Sequence, residues 1–155
     1  MTAVQQLHRV RALSSDDTEL LERIDQAYAG SFGLEVTASR GSTSFHARTG
    51  HSFVAELDGH PVGFVLATAL WSGGRPLVRL ERLATVEAAD GEARTALLEA
   101  LIKSAYDAGV YDLLADVPEA DEPGHEALLK SGFALQPLRT YGLVLGSRGH
   151  RRAGR

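Results

Sequence analysis

The chain has 155 residues, a length that suits a single domain with a sizeable core. It contains no cysteine, which excludes disulfides, thiolate catalysis, cysteine-ligated zinc and a cysteine-held iron–sulfur cluster. The net charge is −4 at pH 7. Segment 147–155 carries four arginines, so the remaining chain has a charge of −8, and an acidic body is not typical of a nucleic-acid-binding protein.

The sequence does not predict a membrane protein. No apolar stretch approaches the roughly 18 residues of a membrane span, and residues 1–13 lack the apolar core of a signal peptide. We therefore predict a cytoplasmic protein. The basic segment 147–155 is predicted to be a disordered tail after a domain of residues 1–146, with contact to phosphates as the alternative.

The first fifty residues predict a strand followed by helical structure. Residues 7–13 alternate imperfectly in polarity, as residues of a strand do. Asp16 is the expected N-cap of a helix that Gly30 would end. Residues 31–50 are rich in serine, threonine and glycine, and they predict a short second helix just before Gly50.

The strongest local signal is a hairpin centred on Asp58 and Gly59. The runs HSFVAEL and HPVGFVLATALW flank this pair, and Asp-Gly between two β-rich runs is typical of a hairpin turn. A second turn at residues 71–76 leads into a strand over residues 77–84. Three successive strands with short connections predict an antiparallel meander.

A helix connects this meander to a further strand. Residues 95–108 repeat apolar side chains at helical spacing, and Gly109 follows the last of them. A strand over residues 111–117 comes next. Because the connection between the two strands carries a helix, we expect residues 111–117 to lie parallel to residues 77–84.

The end of the chain predicts one more helix and two closing strands. Asp121 and Pro123 mark the start of the helix, and Gly132 marks its end. Residues 133–136 and 140–145 then predict a closing pair of strands. The predicted fold class is α/β, with a single mixed, mostly antiparallel sheet and flanking helices.

Three stretches of the sequence carry a family resemblance. They are the hairpin SFVAELDGHPVGFVLA, the helix ALLEALIKSAYDAGV and the run DEPGHEALLKSGF. In this order and spacing they resemble the GCN5-related N-acetyltransferase (GNAT) family over residues 7–145. FHARTGHSFVAE, KSAYDAGVY and GFALQPL are similar to a small, functionally uncharacterised GNAT-like subfamily. The resemblance implies a V-shaped split between the parallel strands 77–84 and 111–117, with acetyl-coenzyme A (acetyl-CoA) in the cleft.

The loop before the third helix departs from the family pattern. The resemblance implies a phosphate-binding loop of the form Q/R-x-x-G-x-G/A, whose small residues let backbone N–H groups approach phosphates. An ungapped alignment places Ala89 at the Q/R position, and Glu92 and Arg94 where small residues belong. Glu87 and Asp90 add negative charge, so a well-capped helix without a ligand explains this degenerate loop better than cofactor binding does.

A weaker cofactor site is retained as a prediction. Arg94 and the free N–H groups of residues 92–95 could still hold phosphates, although Gly91 is displaced from the family's glycine positions. By resemblance, N–H groups near Leu83 and Ala84 would polarise the thioester carbonyl. The predicted cofactor-binding residues are Leu83, Ala84, Gly91, Glu92, Ala93, Arg94 and Thr95.

The catalytic residues of the family are matched only in part. In many relatives a tyrosine on the penultimate helix protonates the departing thiolate, and that position is Leu128 here, which cannot donate a proton. The resemblance places a general base on the strand before the loop, where Glu81 stands, and burial would raise its pKa. The alternative for Glu81 is a salt bridge with Arg79, Arg82 or a neighbouring strand.

Histidines and aromatic residues supply further candidates. The six histidines show no metal-ligand spacing, so no metal site is predicted. By resemblance, His46 and His51 border the acceptor cleft and could act as a base or contact the substrate, with exposed loop histidines as the alternative. Trp71 could contact a ligand at the cleft, form a dimer contact or pack over the hydrophobic core. Three tyrosines could replace the missing acid, namely Tyr106, Tyr111 and Tyr141.

The sequence therefore predicts two main classes of function. One is a GNAT-like N-acetyltransferase that transfers acetyl from acetyl-CoA to an unknown amine, on a small molecule or a peptide. The other is a non-catalytic binding or structural module that has lost the phosphate loop and the catalytic tyrosine. A homodimer that uses the sheet and Trp71 as its interface is a third alternative. No specific nucleic acid and no membrane is predicted as a partner.

Overall fold

The structure is a computed structural model that describes residues 8–86 and 91–146. It contains one five-stranded sheet in the order β1-β2-β3-β4-β5, antiparallel throughout except for the parallel pair β4–β5. The predicted α/β fold class is confirmed. In chain order the elements are β1 (His8–Ala12), a short 3-10 helix (Ser15–Asp17), α1 (Thr18–Phe32), α2 (Arg40–Thr49), β2 (Phe53–Leu57), β3 (His60–Ser72), β4 (Arg75–Thr85), α3 (Gly91–Asp107), β5 (Leu113–Ala115) and α4 (Glu122–Lys130).

Two apolar cores cover the two faces of the sheet. Along β3, Phe64 and Leu66 point to the face that α1 covers, whereas Val65 and Ala67 point to the face that α3 and α4 cover. This alternation follows from the period of two along a strand. The helices therefore approach a given strand from opposite sides of the sheet.

The first helix begins and ends differently from its prediction. Ser14, rather than Asp16, caps the helical segment: it forms a capping box with Asp17 at the start of the short 3-10 helix, and Asp17 Oδ2 accepts the Ser14 N–H at 2.8 Å. Asp17 is then the N-cap residue of α1. The helix continues through Gly30 to Phe32, because a glycine inside a helix costs only about 1 kcal/mol. It ends at Gly33, whose φ of 64° is the left-handed conformation that closes a helix.

The second helix is confirmed and the third is longer than predicted. Gly50, with φ of 82°, ends α2 as expected. Helix α3 begins at Gly91 rather than at residue 95. Ala93 is fully buried, so the added turn extends the apolar face of the helix, and Glu92 is favourable in a first helical turn. The predicted positions of Glu87, Ala89 and Asp90 lie outside the described residues.

The predicted hairpin, meander and parallel crossover are confirmed. The prediction of two closing strands is wrong. Residues 133–136 and 140–145 are all described, and neither range forms a strand. A strand pattern becomes a strand only when a neighbouring strand pairs with it, because β-propensity reflects packing on a sheet. Helix α4 itself ends close to its prediction, at Lys130, and Gly132 follows with φ of 96°.

The helices of the described residues can be compared with the length that a membrane span needs. Within residues 8–86 and 91–146, no helix is long and apolar enough to cross a membrane. The cytoplasmic location stays a prediction. The basic segment 147–155 lies outside the described residues.

Candidate functional site

Strand β4 is paired on both sides in its first half and on one side in its second half. It pairs with β5 over Val78–Leu80, and the Asp116 N–H donates to Leu80 O at 3.1 Å where this pairing ends. Beyond Leu80, the strand continues to Thr85 beside β3 alone. The predicted split between the two parallel strands therefore opens after Leu80.

The open half of β4 presents a backbone donor at Leu83. The Val86 N–H donates to Val62 O of β3 at 2.8 Å, so the alternation along the strand turns the Ala84 N–H toward β3 as well. The same alternation turns the Leu83 N–H toward the open side. Both side chains are buried, so only backbone groups of these residues could contact a ligand. Leu83 fits the predicted oxyanion role, and Ala84 does not.

The N-terminus of α3 lies against α4 and the first residue of β1, since its first turn lines one cavity with Pro123 and His8. An α-helix that begins at Gly91 uses the N–H of Thr95 to bond the carbonyl of Gly91, so the free N–H groups lie in the first turn and not at residues 94–95. The Thr95 hydroxyl also donates to Gly91 O, at 3.1 Å. A side chain built at Gly91 would meet no described atom within 4 Å, which leaves room for a ligand at this end of the helix.

A cavity of about 680 Å³ lies between the first turns of α3 and helix α4. Arg94 and Lys130 bring positive charge to its wall, and Glu92, Glu99 and Glu126 bring negative charge. The Arg94 Nε is buried and has no hydrogen-bond partner among the described residues. A buried donor without a partner is costly, and a phosphate oxygen would satisfy it. This donor and the open space at Gly91 fit a phosphate group, whereas the acids reduce the attraction.

A tyrosine from α1 bridges the split to α4. The Tyr28 hydroxyl donates to Asp121 Oδ2 at 2.6 Å, and Asp121 is the N-cap of α4, accepting the Gly124 N–H at 3.1 Å. The two helices cover opposite faces of the sheet, so this bond joins the faces beside β4 where β5 no longer pairs. Burial raises the pKa of Tyr28, the Asp121 carboxylate raises it further, and the charges of Arg82 and Arg94 oppose the shift. Tyr28 therefore keeps its proton at neutral pH.

A buried ion pair fixes the loop between α1 and α2 to β4. Arg82 Nη1 lies 3.4 Å from Asp25 Oδ1, with both side chains buried, and Arg82 Nη2 donates to Glu35 O at 3.0 Å. The other carboxylate oxygen of Asp25 accepts the N–H groups of Thr37 and Ala38 at 2.6 and 2.9 Å. The Arg82 guanidinium also lies over the Tyr28 ring, 5.6 Å from its centre.

Glu81 has a different partner from those expected. Its Oε2 lies 3.1 Å from Nε2 of His46, and its Oε1 accepts the Thr68 hydroxyl at 3.3 Å. The predicted salt bridges to Arg79 and Arg82 are not formed, because Arg79 pairs with Asp116 and Arg82 with Asp25. The expected burial of Glu81 is also wrong, since its side chain is 44% exposed.

Both candidate histidines are buried, so the expectation of exposed loop histidines is wrong. His46 lies in α2, and its Nδ1 has no hydrogen-bond partner within the described ranges. His51 instead holds α3: its Nδ1 is 2.8 Å from Ser104 Oγ, whose own proton goes to Gly50 O. Burial lowers the pKa of His51. Ser104 stands roughly 20 Å along α3 from Gly91, so His51 is remote from the split.

The aromatic candidates do not replace the missing acid. Tyr106 and Tyr111 are exposed at the far end of α3 and contact each other, with ring centres 5.6 Å apart. Tyr141 is exposed after α4. Trp71 is 72% exposed at the end of β3, so the core-cover alternative is wrong. Leu128, at the position of the family's tyrosine, is buried in the core.

Sequence reasoning did not single out the polar groups that meet beside the split. Asp25 interrupts the apolar stripe of α1, Tyr28 adds a hydroxyl to that stripe, and Arg82 interrupts the apolar run of β4. A polar residue at a position that the periodicity assigns to the core is a signal for a buried polar contact.

In the two described segments no group of three or more histidine, aspartate or glutamate residues could hold a metal ion.

Comparison with known proteins places the chain in a family. Residues 9–151 match the family described as "Protein of unknown function (DUF1999)". Wild-type TTHA1254 from Thermus thermophilus is 39% identical, with a TM-score of 0.76, 90% of this chain covered and 99% of that chain covered. No curated protein gives a match.

Two solved acetyltransferases share the fold at lower identity. A ribosomal-protein-alanine N-acetyltransferase from Brucella melitensis biovar Abortus 2308 is 18% identical, with a TM-score of 0.68 over 90% of this chain and 100% of that chain. The aminoglycoside N-acetyltransferase AAC(6')-Iy in complex with CoA is 14% identical, with a TM-score of 0.74 over 93% of this chain and 99% of that chain. The chain therefore has the GNAT fold and belongs to the DUF1999 family of proteins of unknown function.

Proposed function

We propose that the protein is an N-acetyltransferase that transfers acetyl from acetyl-CoA to an amine of a small molecule or a peptide. The observation that carries this proposal is the unpaired edge of β4 beyond Leu80, in the strand that leads into the N-terminus of α3. Two solved proteins of the same fold are named as N-acetyltransferases, and one of them is in complex with CoA. Acetyl-CoA, when bound, supplies an activated acyl thioester.

Residues of this chain would bind and orient the cofactor from two sides. The first-turn N–H groups of α3 at Gly91 and the guanidinium of Arg94 would hold phosphate oxygens. The Leu83 N–H would donate to the thioester carbonyl oxygen, where negative charge develops during transfer. Both groups belong to regular elements, which keeps their positions fixed before a ligand arrives.

Glu81 is the proposed base. Its carboxylate lies on β4 just after the pairing with β5 ends, and its exposed fraction leaves it accessible to an acceptor amine. His46 and Thr68 would hold it in one orientation through the contacts at 3.1 and 3.3 Å. It would accept the proton that an ammonium group must lose before its nitrogen can attack a carbonyl carbon.

The acid that protonates the leaving thiolate is not assigned to a side chain. Leu128 cannot donate a proton. Tyr28 uses its proton in a 2.6 Å hydrogen bond with Asp121, and its raised pKa makes it a poor acid, so we assign Tyr28 a positioning role. Water in the open cleft would protonate the thiolate.

Titration of acetyl-CoA against thermal unfolding tests the cofactor site. A ligand at a hundredfold excess over its Kd stabilises the folded state by about 2.7 kcal/mol, so the melting temperature should rise by several degrees. Arg94→Glu should weaken binding by about tenfold or more. Lys103→Glu makes the same charge change at the exposed far end of α3 and should leave the shift intact. If millimolar acetyl-CoA does not raise the melting temperature of the natural chain, the proposal that the protein is an N-acetyltransferase is rejected.

The second candidate is a GNAT-fold module without catalysis. Two observations favour it: the acids around the α3–α4 cavity, and the Tyr28–Asp121 bond that crosses the split. The two candidates are separated by release of free CoA from acetyl-CoA in the presence of a panel of amines. A thiol reagent detects that release without background, because the chain has no cysteine. Cofactor binding without amine-dependent release would support the module.

A further inference from the structure

Glu81 lies on the face of the sheet that α1 and α2 cover. Leu66 of β3 packs on that face together with Ala47 of α2. Thr68 follows Leu66 by two residues, so the alternation along the strand turns its side chain to the same face. Glu81 contacts the Thr68 hydroxyl and His46 of α2. The surroundings of the proposed base are therefore the residues of this face.

Two exposed apolar side chains are next to these contacts. Leu70 lies two residues beyond Thr68, so its side chain is on the same face, roughly 7 Å farther along β3. The Phe45 ring packs edge-on against the His46 ring with the ring centres 5.2 Å apart, so one imidazole connects it to the Glu81 carboxylate. Phe45 is 54% exposed and Leu70 is 37% exposed. Both side chains are therefore accessible to a ligand.

The arginines of β4 do not neutralise Glu81. Each arginine of this strand is paired with a different carboxylate, and the pairs are Arg75–Asp112, Arg79–Asp116 and Arg82–Asp25. Among the described residues, Glu81 itself contacts His46 and Thr68. An ammonium group of a ligand can therefore form a charge-assisted hydrogen bond with this carboxylate without displacing an arginine.

The strand register places the apolar side chain and the proposed oxyanion donor on opposite sides of Glu81. Leu83 follows Glu81 by two residues on β4, and its N–H points to the open side of the strand. Leu70 of β3 pairs with Leu77, which precedes Glu81 on β4. A ligand with its nitrogen at Glu81 can therefore present that nitrogen toward Leu83 and extend its remaining atoms toward Leu70.

We infer that the acceptor is a small primary amine with an apolar body the size of an aromatic ring, whose ammonium group pairs with Glu81 and whose body packs against Phe45 and Leu70. This inference rests on the proposed N-acetyltransferase function and adds the class of acceptor. Packing of the ring removes apolar surface of both side chains from water. A polyhydroxylated amine would instead place hydroxyl groups against them, where the hydroxyls lose hydrogen bonds to water. Phe45 and Leu70 are then the residues that determine specificity.

Release of free CoA from acetyl-CoA with a matched set of amines tests the inference. 2-Phenylethylamine carries an ammonium group and a ring, whereas ethylamine carries the ammonium group without the ring. We expect kcat/KM for 2-phenylethylamine to exceed that for ethylamine by about tenfold or more, because the ring adds binding only where apolar side chains meet it. Kanamycin, a polyhydroxylated amine, should also give a lower kcat/KM than 2-phenylethylamine.

Variants of the two apolar residues locate the preference. Phe45→Ala and Leu70→Ala should each lower kcat/KM for 2-phenylethylamine by about three- to tenfold and leave the value for ethylamine unchanged. Tyr106→Ala is the matched control, because it removes an exposed aromatic side chain from the far end of α3 and should change neither value. An equal loss for both amines in Phe45→Ala would overturn the inference, since Phe45 would then act only through His46.

Calorimetric binding of 2-phenylethylamine without acetyl-CoA separates the acceptor site from the transferase. Binding that Phe45→Ala weakens, together with no CoA release for any amine, would reject the transferase and support an apolar-amine site. CoA release without a preference for the aromatic amine would overturn the inference and leave the transferase in place, and so would a preference that both variants retain. If 2-phenylethylamine neither binds nor reacts, the inference is also overturned.

Discussion

Glu81 and Arg82 are neighbours on β4, yet the structure gives them opposite roles. Arg82 is buried with Asp25 and holds the loop between α1 and α2 in place. Glu81 is 44% exposed and contacts His46 and Thr68. The β3–β4 register shifts between Leu66 and Ala67, so Leu66 pairs with Arg82 and Ala67 with Leu80. Glu81 is the unpaired residue of this bulge.

The difference shows how burial separates a charge that must keep its partner from one that stays accessible to solvent. A buried ion must keep its partner, because an unpaired charge inside the protein is strongly destabilising. A half-exposed carboxylate remains partly hydrated, so the loss of its partner changes the free energy of unfolding little. It also remains accessible to a substrate. The bulge supplies both environments at two neighbouring residues.

The largest effect should come from breaking the buried pair. Arg82→Met keeps the volume but leaves Asp25 without its cation, and the free energy of unfolding should fall by about 3–5 kcal/mol. Arg79→Met is the matched control on the same strand, because Arg79 pairs with Asp116 at the surface and should lose less than about 1 kcal/mol. Urea unfolding measures both. Equal losses would show that burial does not distinguish the two arginines.

The next effect concerns the exposed neighbour. Glu81→Gln removes the proposed base and should lower kcat by about a hundredfold or more. The free energy of unfolding should change little, because the contact with His46 involves a half-exposed carboxylate. Acetyl-CoA affinity should stay unchanged. Steady-state CoA release and urea unfolding separate these readouts, and unchanged turnover would remove Glu81 as the base.

A smaller loss of stability should follow from Tyr28→Phe. The change removes the 2.6 Å hydrogen bond to the buried Asp121 carboxylate, which among the described residues then keeps the Gly124 N–H alone, and it should cost about 1–3 kcal/mol. The loss expected for Tyr28→Phe therefore lies between the losses expected for the buried Arg82–Asp25 pair and the surface Arg79–Asp116 pair. Thermal or urea unfolding gives the value, and a neutral change would mean that the bridge across the split does not support the fold.

The smallest effect is a dependence of stability on pH at His51. Burial lowers the pKa of folded His51 below its ordinary 6.5, so the unfolded chain takes up a proton that the folded chain refuses. The free energy of unfolding should therefore fall as the pH drops below about 7 and through the lowered pKa. His51→Gln should flatten this slope, whereas His60→Gln, at an exposed position, should not. An unchanged slope in His51→Gln would assign it to other groups.

Several contacts of the candidate site join residues that are distant in sequence, and local sequence patterns do not predict such contacts. Helical spacing places Tyr28 on the apolar face of α1, but only the fold brings its hydroxyl to Asp121, 93 residues away. Likewise, 35 positions separate His46 from Glu81, and their contact depends on α2 covering the bulge in β4. The predicted cofactor residues Glu92, Ala93 and Arg94 became the first turn of α3 because burial of Ala93 extended the helix.

By itself, the sequence determined the meander, the parallel crossover and the family resemblance. These follow from local periodicity and from turns such as Asp58–Gly59, which act over a few residues. Only the tertiary structure decided where β4 and β5 part, which charges are buried and which strand pattern goes unpaired. Burial and strand pairing depend on neighbours distant in sequence. Residues 140–145 show this most clearly, since a strand-like pattern stays irregular where no neighbouring strand meets it among the described residues.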